Sequence, residues 1–117
     1  MGFKFEQLEV WQKAIELSLS IHKLTRAFPK EELFILTSQI KRAADSIALN
    51  IAEGSTGQSN PEFRQFLSYA LRSAIEVVSC LYIGKERALI QESDFKDLYS
   101  KVEQIVKMIQ AFRKALR

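Results

Sequence analysis

One cysteine, one histidine, two prolines and four glycines are all that this 117-residue chain holds of those types. Each scarcity excludes something. A lone Cys80 forbids an intrachain disulfide, and its apolar helical surroundings make it a small packing residue rather than a nucleophile. A lone His22 beside an apolar stripe is a packing or surface residue. No Glu-x-x-His pair is present, which removes the di-iron sites of helical bundles, and no Gly-rich loop is present to cradle a phosphate. Asp45 and Glu53 stand eight residues apart on one helix, about 12 Å, too far for a carboxylate pair. Ser46 has no base at a helical offset. The expectation is no enzyme, no metal and no cofactor. No apolar run approaches ~18 residues, so no membrane span is expected. Met1 to Val10 is charged and mixed, unlike a signal peptide. A cytoplasmic, reducing setting follows as the expectation.

What is present fits one folded unit over residues 1–117. Apolar residues make up 47% and charged residues 26%, ordinary for a globular protein. At this length folding buries roughly two-thirds of the unfolded surface. Few breaks between long periodic stretches predict an all-α chain. The net charge of +3 is mildly basic; it permits nucleic-acid binding without demanding it.

The first helix is predicted over residues 6–27. It carries two apolar stripes. One holds Val10, Ala14, Leu17, Ile21, Leu24 and Phe28. The other holds Leu8, Trp11, Ile15 and Leu19, on the far side by about 160–200° at 100° per residue. A helix of a monomeric bundle needs one stripe, so the second is assigned to another subunit, against a wider core within the chain. Pro29 stops this helix. The next is predicted over 31–53, with Glu31 and Glu32 at its positive dipole end. Its core stripe is Leu33, Leu36, Ile40, Ala43, Ala44, Ile47 and Ile51, with Gly54 as a left-handed residue just past its end. Asn60 and Pro61 open a third helix over 61–88. Ser93 or Asp94 opens a fourth over 94–116, where Phe95, Leu98, Val102, Ile105, Ile109, Phe112 and Leu116 repeat at spacings of three and four. Four helices with short links make an antiparallel up-down-up-down four-helix bundle.

The polar face of the second helix has Gln39, Arg42, Asp45, Asn50 and Glu53. Arg72 and Glu76 repeat an i,i+4 pairing on the third. Together they are assigned to a structural polar network. Lys13, Lys23, Arg26, Lys107, Arg113, Lys114 and Arg117 are the candidate contacts to nucleic-acid phosphates; basic residues in a last helical turn also suit its dipole.

Three stretches, FEQLEVWQKA (5–14), FPKEELFILTSQIKRAADSIALNIAEG (28–54) and EFRQFLSYALRSAIEVVSCL (62–81), carry a resemblance. They are similar to the four-helix-bundle proteins called 23S rRNA-intervening-sequence proteins, with the accessory variability proteins of diversity-generating retroelements as apparent kin. The resemblance covers nearly the whole chain. It departs at Leu71-Arg72-Ser73, where the family pattern has a Gly-Ser type step, and past helix three it rests on apolar spacing. It implies a cytoplasmic bacterial protein, a ring-like homo-oligomer, most often a pentamer, and no enzyme activity. Trp11, Gln12, Gln39, Arg42, Asn50, Glu53 and Gly54 match the motifs in structural roles. The retroelement proteins bind nucleic acid and a reverse transcriptase through basic surfaces. Two functions are therefore expected to compete: a ring that binds RNA or DNA non-specifically, and a scaffold that recruits a partner enzyme without binding nucleic acid itself.

Overall fold

The computed structural model describes residues 2–57 and 59–116. Its four α-helices are α1 (Glu9–Thr25), α2 (Ser38–Ser55), α3 (Asn60–Glu86) and α4 (Glu92–Ala115), with no strand among the described residues. Successive helices run antiparallel. Each packs against its chain neighbours, and α4 returns beside α1 to close the square. The resulting rod measures 43 × 22 × 21 Å.

The heptad spacing explains the core. Ala14, Leu17 and Ile21 of α1 are fully enclosed, as are Ile40, Ile47 and Ile51 of α2, Leu67, Val77 and Leu81 of α3, and Val102 and Ile109 of α4. Each such Leu, Ile or Val removes enough apolar surface to favour folding by about 1.5–3 kcal/mol. The pair with the most contact is α2 and α3. There Ala43, Ala44, Ala70 and Ala74 are all buried, and small side chains allow close axes.

Gly54 belongs to this close approach. It lies inside α2 and is buried, so the expected left-handed position past the helix end is corrected. A Cβ built there would stand 2.7 Å from Phe66 Cβ and 2.8 Å from Phe63 Cδ1. The carbonyls of the last α2 turn are met instead by hydroxyls: Ser55 Oγ donates to Ala52 O at 2.7 Å and Thr56 Oγ1 to Glu53 O at 2.8 Å.

The approach to α2 also differs from the expected regular helix. Lys30–Glu32 forms a 3₁₀ turn and Leu33–Thr37 a π turn before α2 begins at Ser38. A π turn widens the residues-per-turn count, which shifts the apolar phase. Leu33, read as core from a uniform period, is therefore 49% exposed, and Phe34 and Ile35 project beside it. Two helix starts move as well. Ser59, not Asn60, caps α3 by accepting from the Glu62 N–H at 3.2 Å. Gln91 precedes α4 with no side-chain cap.

α3 ends in a Schellman arrangement. Ala88 takes φ 60°, Leu89 N–H reaches Gly84 O at 2.8 Å, and Ala88 N–H reaches Lys85 O at 3.0 Å. By length and composition alone α3 is apolar enough to cross a membrane, contrary to the expectation from runs of residues. Its apolar side is committed to the core, with Phe63, Leu67, Ala70, Ala74, Val77 and Leu81 buried.

Candidate functional site

Three surfaces follow from where the helices put their polar and apolar faces. The first lies along α1 and α2. The second α1 stripe divides in two. Leu8 and Trp11 are half-buried against the core, and Trp11 meets the Phe5 ring edge-on at 4.8 Å, because the 3₁₀ turn Lys4–Gln7 folds back over them. These two make contacts within the chain. Ile15 and Leu19 have no such cover and are 44% and 54% exposed. With Ser18, His22, Lys41 and Asp45 they line an open groove of about 380 Å³. Ser18 Oγ donates to Asp45 Oδ1 across it. One turn further along α2, antiparallel to α1, stands Leu49, also exposed. The register of the Ser18–Asp45 rung puts Leu49 on the Ile15 side.

The second surface is the α2–α3 groove, about 490 Å³, where Phe34, Gln39, Arg42, Ser46, Ser73 and Glu76 are among the lining residues. The polar residues expected to form one network here divide into separate contacts. Asn50 Nδ2 donates to Ser46 Oγ and Ser46 O, each at 2.9 Å. Ser73 Oγ donates to Ser46 Oγ at 2.9 Å. Arg42 donates to Ser38 Oγ at 3.3 Å. Asp45 faces α1, and the Arg72 guanidinium lies over the Tyr69 ring at 6.0 Å. No ion pair joins Arg42 or Arg72 to Glu53 or Glu76 among the described residues. The inter-helix bridge is thus Ser46 to Ser73. Small hydroxyls between two alanine-rich faces were its only sequence signal, and it is a weak one.

The third surface is basic. The candidate cations do not gather in one place. Lys23 and Arg26 sit at the α1 C-terminal end of the rod. Lys13, 3.7 Å from Glu16, lines a groove between α1 and α4 with Lys101. Lys107 is exposed along α4. Arg113 and Lys114 stand at the opposite end, where Arg64 joins them, a residue the sequence reading passed over because it lies in the first turns of an apolar helix. Arg64, Gln110, Arg113 and Lys114 line a concavity of about 490 Å³. Arg64 Nη1 donates to Leu116 O at 2.7 Å. Arg113 Nε is buried with no hydrogen-bond partner among the described residues. Arg117 lies outside the described residues.

Reactive chemistry is sparse among the described residues. No three His, Cys, Asp or Glu side chains converge as a metal cage would require. Cys80 is buried; burial first, and the Glu76 charge second, push its thiol above the ordinary range.

The comparisons with known proteins agree with this geometry. The crystal structure of a protein with unknown function from the S23 ribosomal protein family of Bacteroides thetaiotaomicron superposes with a TM-score of 0.84. The two are 25% identical, and the match covers 90% of this chain and 98% of that one. No curated protein matches the chain. The family model described as 23S rRNA-intervening sequence protein matches residues 6–111, a span that includes all four helices apart from the last turn of α4. The chain belongs to the 23S rRNA-intervening sequence protein family.

Proposed function

We propose that the protein is a non-enzymatic helical bundle that assembles with copies of itself into a ring and holds RNA or DNA through phosphate contacts. The observation that carries this reading is the separation of two surfaces. The exposed apolar strip Ile15, Leu19 and Leu49 lies on the α1–α2 edge. The cations Arg64, Arg113 and Lys114 lie on the α3–α4 edge, across the square bundle. A ring that buries the first leaves the second open.

A ring needs two different surfaces on each copy, because head-to-tail contacts close only when unlike patches meet. The second apolar patch is Leu33, Phe34 and Ile35, with Phe34 88% exposed. A stable contact covers about 800 Å² per partner, near a ninth of the 7290 Å² surface, an area two helix faces supply. The five-membered ring implied by the family resemblance is the size to test. For the nucleic acid, the family description names a ribosomal RNA intervening sequence, and cations without carboxylate partners suit salt-sensitive, sequence-tolerant phosphate contacts.

The test is solution mass by light scattering, with and without RNA, at two salt concentrations. Ile15→Glu with Leu19→Glu, and separately Phe34→Glu, should each reduce the mass to that of a single chain. Arg113→Glu with Lys114→Glu should leave the mass intact and abolish RNA retention. An unchanged mass in both apolar variants overturns the ring. Retention independent of salt overturns the phosphate contacts. A protein that forms the ring and retains no RNA would leave the scaffold for a partner enzyme as the better reading.

A further inference from the structure

The concavity between the start of α3 and the end of α4 has more positive charge than the fold requires. Three cations, Arg64, Arg113 and Lys114, line it with one amide, Gln110, and no carboxylate. None of the three forms an ion pair among the described residues, whereas Lys13, Lys85, Arg87 and Lys101 each have one. The bland explanation is that basic residues neutralise the α4 C-terminus. A helix end amounts to roughly half a charge, and the α3 N-terminus at the same end of the rod contributes roughly the opposite half. Arg64 already serves the α4 end through its bond to Leu116 O. Arg113 and Lys114 remain without an ion-pair partner among the described residues.

A second observation concerns Arg113. Its Nε is buried and without a hydrogen-bond partner among the described residues, while the side chain lines the concavity. A guanidinium has five donors and no acceptor, and leaving a buried donor unmet costs free energy. An atom so enclosed cannot itself reach a ligand, so the side chain meets the concavity through its other atoms. Arg113 as a whole is half-buried, so its side chain is more confined than that of a fully exposed arginine.

We infer that Arg64, Gln110, Arg113 and Lys114 form a binding site for a terminal phosphate, a phosphate monoester or oligophosphate, rather than for the phosphodiesters along a strand. The charge count decides between the two. A diester brings one negative charge, whereas a monoester brings nearly two at neutral pH, the better match to the two cations left without a partner. Two arginines give planar forks that suit phosphate oxygens, the lysine a point charge, and Gln110 a neutral donor. The inference rests on the nucleic-acid reading above only for the source of the phosphate: a strand end in that case, a free phosphate compound otherwise.

The experiment measures binding of three 12-nucleotide single-stranded RNAs of one sequence, bearing a 5′-phosphate, a 3′-phosphate or neither, by fluorescence anisotropy at fixed ionic strength. Inorganic pyrophosphate is the competitor. At least one phosphorylated RNA should bind about tenfold more tightly than the unphosphorylated one, and pyrophosphate should erase the difference. Lys114→Gln, at an exposed position, and Arg113→Gln should bring the ratio to near one; Lys30→Gln, exposed at the opposite end of the rod, should not. Equal binding of all three RNAs, with no effect of pyrophosphate, overturns the site and leaves general nucleic-acid binding standing. If no RNA binds but pyrophosphate shifts the amide resonances of residues 110–114, and Lys114→Gln removes the shift, the site stands and the nucleic-acid reading falls. Absence of every signal overturns both.

Discussion

Ser46 of α2 and Ser73 of α3 meet hydroxyl to hydroxyl at 2.9 Å, and Asn50 donates to the same Ser46 oxygen. This half-buried bridge joins the two helices that share the most contact. A net hydrogen bond of this kind contributes about 0.5–1.5 kcal/mol. Ser73→Ala and Ser46→Ala should each lower stability by about 1 kcal/mol in urea unfolding, and the double variant should lose less than the sum. Strict additivity would show that the two hydroxyls do not act together.

Gly54 sets how near those helices come. A methyl group there meets Phe66 Cβ, an atom fixed to its backbone, at 2.7 Å. Relief therefore requires α2 and α3 to part, not a side chain to rotate. Overpacking of this sort costs about 1–3 kcal/mol, against a helix-propensity gain for alanine of about 1 kcal/mol. Gly54→Ala should be destabilising overall, read as a lower urea midpoint. A midpoint at or above that of the parent chain would mean that the helices have slack at this end.

Much of this was legible before any coordinates. The stripes of three and four residues located four helices and nearly every buried side chain, because one-sided burial leaves a period in the sequence. Leu33 was misplaced because a π turn alters that period with no residue that marks it. Trp11 and Ile15 share a stripe but not a fate, since the short turn from Lys4 covers one and stops before the other. The basic site was half legible. Arg113 and Lys114 stand out at a helix end, while Arg64 becomes their neighbour only when α3 and α4 lie antiparallel.

Ala88 holds a left-handed backbone, φ 60°, at the position where a helix end favours glycine. Its side chain costs about 1 kcal/mol there through the clash of Cβ with the following carbonyl. Ala88→Gly should raise the unfolding midpoint, relief of that clash outweighing the flexibility glycine adds to the unfolded chain. Circular dichroism melting of the pair measures the sign directly, and a lower melting temperature would show that the turn tolerates alanine without strain.

Cys80 gives a pH dependence with a structural cause. Its thiol is raised first by burial and then by the charge of Glu76. The folded state therefore holds its proton to higher pH than the unfolded state does. As pH climbs past the ordinary thiol range, near 8.5, the unfolded chain ionises first and gains relative to the fold. Stability from this group is flat below that range and declines through it up to the raised folded value. Urea midpoints at pH 7 and pH 9.5 should fall further in the parent chain than in Cys80→Ala, since the alanine variant lacks the ionising group. The native thiol should also react with iodoacetamide at pH 8 more slowly than the unfolded chain, because the thiolate is the reacting species. Glu76→Gln should recover little of that rate, for burial is the larger cause and the substitution leaves it in place.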